Sequence, residues 1–121
     1  MKTTKDIMSP LIFATDPNLS IIDAAREMAV RNIGSLLVVV KGKVVGIVTE
    51  RDILKALGEG MDLKEPISKI MTKDLITAAP DDSITTVKEK MIRANVRHLP
   101  VVDENDFPLG IISIRDLLTN L

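Results

Sequence analysis

Two stretches of this 121-residue chain set a hydroxyl, an arginine and a carboxylate at short spacing. The first runs Gly46-Ile-Val-Thr49-Glu-Arg51-Asp52, the second Gly110-Ile-Ile-Ser113-Ile-Arg115-Asp116. Each is an apolar run leading into residues that open a short helix. The free amides of a helix start, joined by a hydroxyl, form a ready anion site. An aspartate one turn on can accept both hydroxyls of a ribose, the role an acid plays in dinucleotide folds. An arginine beside it supplies cationic charge for phosphate. Together these groups would recognise a sugar-phosphate. The same residues also read as capping boxes, with glycines that ease a turn or a close backbone approach. Both readings stand on these features alone. Neither stretch has the Gly-x-x-x-x-Gly-Lys loop of NTP hydrolases, so the pattern points to binding and not to turnover.

Composition narrows the partners. The formal net charge is −1, from 16 basic and 17 acidic residues without a block of one sign. That argues against long-range attraction to nucleic acid or to an anionic membrane surface. Phe13 and Phe107 are the only aromatic residues, so the stacking platforms of single-strand binders are missing. Without Cys there are no disulfides or thiolate metal sites, and the single His98 cannot by itself make the usual His-based zinc site. No apolar run approaches the roughly 18 residues of a membrane span. The opening "MKTTKDIMSP" has no signal-peptide apolar region, so a cytoplasmic protein is expected.

The two stretches belong to a longer repeat. A shift of 63 positions aligns Ile7-Met8 with Ile70-Met71, Pro17 with Pro80, Ser20-Ile21 with Ser83-Ile84, and Met28 with Met91. It also aligns Asn32 with Asn95, Leu36 with Leu99 and Val38-Val39 with Val101-Val102. One extra residue in the turn "DENDFP" moves the shift to 64, and Arg51-Asp52 then meets Arg115-Asp116. A repeat spanning the chain fixes the architecture before any motif does.

Each copy reads as strand, helix, strand, strand, helix. Short lead-in strands are expected at Ile12 to Thr15 and Leu75 to Ala78. Ser20 and Ser83 are N-caps, followed by apolar residues at helical spacing that place Met28 and Met91 in the core. The runs "SLLVVV" and "HLPVVD", with the turns and runs that follow, read as hairpins. The fold class is therefore α/β (α+β): two β-α-β-β-α repeats related by a pseudo-twofold axis. The expected division is repeat 1 at 1–60, a linker at 61–69 and repeat 2 at 70–121. A lone unit of this size buries too little surface, so the two are expected to pack through their sheets.

Tandem units carrying Gly-h-h-Ser/Thr-x-x-Asp, with "HLPVVD" ahead of the second, resemble a pair of cystathionine-β-synthase (CBS) domains, the Bateman module. The resemblance covers essentially the whole chain. It implies two symmetry-related clefts between the repeats that take adenosyl ligands: AMP, ADP, ATP, or S-adenosylmethionine and its relatives, with or without Mg. No cofactor is required and no enzyme activity is implied. Carried over by position, one cleft uses Ile112, Ser113, Arg115 and Asp116. Arg97 and His98 reach phosphates there, and Ile33, Gly34 and the segment around Met8 add to the base pocket. The other cleft uses Val48, Thr49, Arg51 and Asp52, with Val96 and Met71 opposite. The resemblance further implies a homodimer and an energy-sensing or related regulatory role. The output passes by conformational shift to a separately encoded partner. The rival reading is a ligand-free structural or interaction protein with degenerate clefts.

The copies are chemically unequal. Gly34-Ser35 stands in the first where Arg97-His98 stands in the second, and Leu37 replaces the Pro100 of the family's usual Leu-Pro. Tighter phosphate binding is expected beside Ser113, and an adenosine-like or weaker ligand beside Thr49. Asp116→Ala is thus expected to abolish high-affinity nucleotide binding in a calorimetric titration while Asp52→Ala spares it. The reverse ranking would refute the inequality.

Overall fold

The helix caps expected from the sequence set the frame of the computed structural model, which describes residues 2–10 and 13–120. Ser20 Oγ accepts the Asp23 amide at 3.1 Å, and Ser83 Oγ accepts the Thr86 amide at 3.1 Å. Each helix ends on an asparagine in the left-handed region, Asn32 and Asn95 both at φ 54° and ψ 47°. Asparagine tolerates that conformation and so stops a helix cleanly.

The elements run in chain order α1 (Thr4–Ile7), β1 (Ser9–Pro10), β2 (Ala14–Thr15), α2 (Ile21–Arg31), β3 (Ser35–Val40), β4 (Lys43–Thr49) and α3 (Glu50–Gly58). A 3-10 turn at Ile67–Lys69 follows, then α4 (Ile84–Ala94), β5 (His98–Val102), β6 (Pro108–Ser113) and α5 (Ile114–Thr119). One sheet has the order β2-β3-β4 and the other β1-β6-β5. In the first, β2 pairs parallel with β3 (Ala14 with Leu37, Thr15 with Val38). In the second, β5 and β6 form an antiparallel hairpin, and β1 adds antiparallel to β6. Mixed helix and strand in a twofold-repeated order is the fold class expected from the sequence.

The lead-in strands came out unequal. Ile12 lies outside the described residues, and Ala14–Thr15 forms β2. Over Leu75 to Ala78 the expected strand shrinks to one parallel bridge between Ala78 and Val101. Pro100 is the reason. Leu37 in the first copy pairs with Ala14, whereas its counterpart Pro100 has no amide proton to extend the ladder. The neighbouring Thr77 carbonyl accepts from Lys90 Nζ at 2.8 Å.

Packing follows the repeats except that the lead segments are exchanged and Gly42–Val44 groups with the C unit. The N unit comprises Phe13–Lys41 and Val45–Asp74; the C unit comprises Met1–Ile12, Gly42–Val44 and Leu75–Leu121. The segment ahead of each copy thus packs with the other copy's elements. In the C unit, Thr4 N–H donates to the Asp82 carbonyl at 2.9 Å and Lys5 N–H to that of Pro80 at 3.0 Å. In the N unit, Ile67 N–H donates to the Leu19 carbonyl at 2.8 Å and Ser68 N–H to that of Pro17 at 3.1 Å. These are the same bonds 63 positions apart. The stretch 61–66 is also tied down: Met61 and Leu63 pack on the N-unit core, and Ile22 and Ile21 amides donate to Leu63 and Glu65 carbonyls, both at 2.9 Å.

Each unit has its own core. The C unit buries Ile7, Val87, Met91, Leu99, Val101 and Ile112, and the N unit Ile21, Met28, Leu36, Val38, Val48 and Ile67. Met28 and Met91 sit in these cores, as their helical spacing requires.

A charged tie without a counterpart in the N unit holds the start of α4. Asp82 Oδ2 accepts from Lys90 Nζ at 2.8 Å and from the Ala79 amide at 2.9 Å, while the Asp82 carbonyl takes Thr4 Oγ1 at 2.9 Å. The matching first-copy residues are Leu19 and Glu27. Burial pushes the Asp82 carboxyl up, but the Lys90 and Ala79 hydrogen bonds with the Lys90 charge outweigh it, and the group lies below its ordinary 3.8. A carboxyl depressed in the folded state adds stability that is present above the unfolded value and lost as pH falls through the folded one. Asp82→Asn should therefore cost about 1 kcal/mol at neutral pH. Thermal unfolding of the two proteins should keep that gap down to about pH 4 and close it below. A gap unchanged in stronger acid would contradict this.

Candidate functional site

Each motif begins with a glycine because a second backbone lies against the strand there. In the N unit, Ile47 and Thr72 exchange hydrogen bonds at 3.1 and 3.0 Å, laying Met71-Thr72 along β4. A Cβ on Gly46 would stand 2.6 Å from Met71 Sδ and 3.2 Å from the Thr72 carbonyl oxygen. In the C unit, β1 pairs Ser9 with Ile111 and Pro10 with Gly110. A Cβ on Gly110 would collide with the Ser9 carbonyl oxygen and stand 3.1 Å from Met8 Sδ. The glycines serve a close approach, and Met8 and Met71 are thereby carried to the motifs.

Three residues on, each strand runs into a helix through a closed capping box. Thr49 N–H donates to Asp52 Oδ2 at 2.8 Å, and Thr49 Oγ1 both donates to that oxygen (3.2 Å) and accepts the Asp52 amide (3.4 Å). Ser113 repeats this with Asp116 at 2.8, 3.1 and 3.2 Å. The first helical amides are also taken: Glu50 N–H donates to the Gly34 carbonyl at 3.1 Å, and Ile114 N–H to that of Arg97 at 2.9 Å.

A helix start has four amides without intrahelical partners. Here the cap, first and third are committed, which narrows the free-amide site read from the sequence. Among the described residues the second amide, that of Arg51 or Arg115, is left over. The same residues carry guanidinium groups that are exposed and form no ion pair among the described residues. Each aspartate uses Oδ2 for its cap, and Oδ1 has no hydrogen bond among the described residues. Each helix start therefore offers one arginine amide, one guanidinium and one carboxylate oxygen.

The remaining site residues fall into two sets. The C unit brings Met8, Val96, Arg97, His98, Ile112, Ser113, Arg115 and Asp116 into one unit. Within it His98 pairs in register with Ser113, and the Arg97 carbonyl caps α5. The N unit brings together Ile33, Gly34, Val48, Thr49, Arg51, Asp52 and Met71. Val48 and Ile112 are fully buried in their unit cores. Arg97 is exposed and its N-unit counterpart is Gly34, so the cationic supply is larger beside Ser113. Among the described residues no group of three or more His, Asp or Glu is placed to hold a metal, and no helix is long and apolar enough to cross a membrane.

Sequence reading passed over a groove beside the first helix start. It lies between α2 and α3, with a volume of about 320 Å³, and is lined by Ala25, Ala29, Asn32, Gly34, Glu50 and Ile53. Comparing the aligned copies would have flagged it, since Ala29 and Glu50 face Ile92 and Ile114 in the second.

Comparison with known proteins agrees with this duplication. A family model for the CBS domain matches residues 5–59 and again 67–121. An uncharacterized 17.7 kDa protein of Acidianus ambivalens is 41% identical over 112 residues, covering 92% of this chain and 68% of that one. The L-aspartate semialdehyde sulfurtransferase of Methanocaldococcus jannaschii is 39% identical over 114 residues, which cover 93% of this chain but 22% of that protein. Among solved structures, the CBS domain pair of protein MJ0100, in complex with 5′-methylthioadenosine and S-adenosyl-L-methionine, superposes with a TM-score of 0.92. Its identity is 36%, over 99% of this chain and 95% of that one. The CBS domain protein PAE2072 of Pyrobaculum aerophilum, complexed with AMP, superposes with a TM-score of 0.88 at 30% identity, covering 99% of this chain and 98% of that one.

The close approach at β6 has a measurable cost. Gly110→Ala should destabilise the chain by about 1–3 kcal/mol, the usual range for overpacking. Gly58→Ala at the end of α3, where a new Cβ meets nothing within 4 Å, should leave it unchanged or slightly more stable. Urea unfolding compares the two, and equal midpoints would contradict the assignment.

Proposed function

This chain belongs to the CBS-domain family, carrying the domain twice in tandem, and we propose that it is a regulatory module that binds an adenosyl ligand at its two helix starts. The observation that carries the reading is the inventory at Ser113 and Thr49. An arginine amide and guanidinium are left for phosphate, and an aspartate Oδ1 is left for the ribose hydroxyls. The ligands of the MJ0100 and PAE2072 complexes, AMP, S-adenosyl-L-methionine and 5′-methylthioadenosine, share an adenosine core that such groups can hold.

The mechanism follows from the caps. Asp116 keeps α5 closed through Oδ2, so a ligand that engages Oδ1 need not open the helix. Arg97 and His98 add charge and a ring nitrogen beside Ser113 for phosphate. The Thr49 start, with Gly34 and Ser35 there, favours an uncharged or singly charged tail. Ligand binding shifts the balance between arrangements of the chain and of a homodimer, and that shift is the output read by a partner protein. Binding proceeds without turnover, as the pattern lacks a phosphate-loop lysine and a nucleophile–base pair.

Calorimetric titration with AMP and with adenosine tests this. Wild-type protein should bind AMP more tightly than adenosine, and Arg97→Ala should remove about tenfold or more of that preference, the value of a hydrogen bond to a charged group. Flat titrations against AMP, ATP, S-adenosylmethionine and 5′-methylthioadenosine would overturn the reading in favour of a ligand-free interaction protein.

A further inference from the structure

The oxidisable sulfur of this chain is all methionine, six residues with no cysteine beside them. Their settings differ. Met28 and Met91 are 5% and 3% exposed inside the unit cores. Met8, Met61 and Met71 are half-buried, within reach of a small oxidant from solvent. Of these three, Met8 and Met71 are counterparts across the repeat, and each lies against the glycine that opens a motif. Met61 packs on the N-unit core, and neither glycine has it among its nearest neighbours.

The place of each sulfur decides what an added oxygen would do. Met71 Sδ is 2.6 Å and Met8 Sδ 3.1 Å from the Cβ position of its glycine, in the gap left by the missing side chain. The nearest polar atom besides is a carbonyl oxygen, that of Thr72 or of Ser9. A thioether is apolar and adaptable and suits such a gap. A sulfoxide carries a polar oxygen that accepts hydrogen bonds without donating any, and the neighbouring carbonyl does the same. The Thr72 amide is already committed to the Ile47 carbonyl at 3.0 Å, and the Ile47 amide to that of Thr72 at 3.1 Å. An oxygen on either sulfur therefore meets a like dipole and disrupts the packing that holds the lead segment on its strand.

We propose that Met8 and Met71 are paired oxidation sites for a peroxide-class oxidant. Their sulfoxides lift the lead segments off Gly110 and Gly46 and weaken ligand binding at Ser113 and Thr49. The sulfur lone pair attacks one peroxide oxygen, so that an S–O bond forms and the O–O bond breaks. With hydrogen peroxide, the transferred oxygen gives its proton to the leaving hydroxide, which departs as water. Sulfur loses two electrons and the peroxide gains them. Methionine sulfoxide reductases reverse the change. The loss of binding rests on the proposed function, whereas the order of oxidation and the loosening of the strand do not.

Limited treatment with hydrogen peroxide, followed by peptide mass spectrometry, amide hydrogen exchange and calorimetry with AMP, tests this. Sulfoxide should accumulate at Met8 and Met71 while Met28 and Met91 stay thioethers. Exchange at the Ile47 and Thr72 amides should then quicken. AMP affinity should fall about tenfold or more, each protein being compared with itself before treatment. Met61→Leu should leave both effects in place, whereas the double variant Met8→Leu, Met71→Leu should remove both. Oxidation of Met28 and Met91 in step with Met8 and Met71 would overturn the proposal, by showing that sulfur is reached through unfolding. Full sulfoxide at Met8 and Met71 with exchange or affinity unchanged would overturn it as well, and so would an effect that disappears with Met61→Leu. A chain that binds no adenosyl ligand before treatment removes the binding step together with the proposed function, while oxidation order and exchange still decide the oxidation sites.

Discussion

The organisation of each unit turns on a place where two backbones approach more closely than a side chain allows. At Gly110 the Ser9 carbonyl occupies the space of a Cβ, and at Gly46 the Thr72 carbonyl and the Met71 side chain do so. That approach lets the lead segment of each copy join the other copy's hairpin strand. Ile7 and Ile67 then complete cores that neither copy would fill from its own sequence. It also fixes the strand that delivers Ser113 or Thr49 to the start of its helix, with Met8 or Met71 alongside.

Downstream of that contact the chemistry is a matter of which polar groups remain unused. The capping boxes absorb the hydroxyl, one carboxylate oxygen and two amides, and the Gly34 and Arg97 carbonyls absorb a third. A helix start of this kind is a less general anion site than four open amides would be. What is left is one amide and one guanidinium from a single arginine, and one carboxylate oxygen without a hydrogen bond among the described residues. In the proposed function capping and binding draw on different oxygens of the same aspartate, so that such a site would cost the fold little.

Much of this was legible in the sequence because the duplication doubled every signal. Ser20 and Ser83, Asn32 and Asn95, and the paired Met28 and Met91 each mark the same structural position twice. The glycine reading was legible only as a pair of options. The contact that decides between them lies between Gly110 and Ser9, distant in sequence, and no local pattern records it. The exchange of lead segments was hidden for the same reason, since Ile7-Met8 aligns with Ile70-Met71 whichever unit each segment joins. The missing lead-in strand at Leu75 to Ala78 was readable in principle, because Pro100 announces a lost donor. The Lys90–Asp82 tie was not, since no motif links those residue types across that turn.

The central claim is that ligand is held by the leftover groups of the two helix starts. The most direct measurement follows the backbone amide resonances of Arg115 and Arg51 while AMP is titrated into the protein. The account predicts that the Arg115 amide shifts first and saturates with the binding heat, with Arg51 following at higher concentration or less far. Saturable AMP binding that leaves both amides unmoved would contradict it.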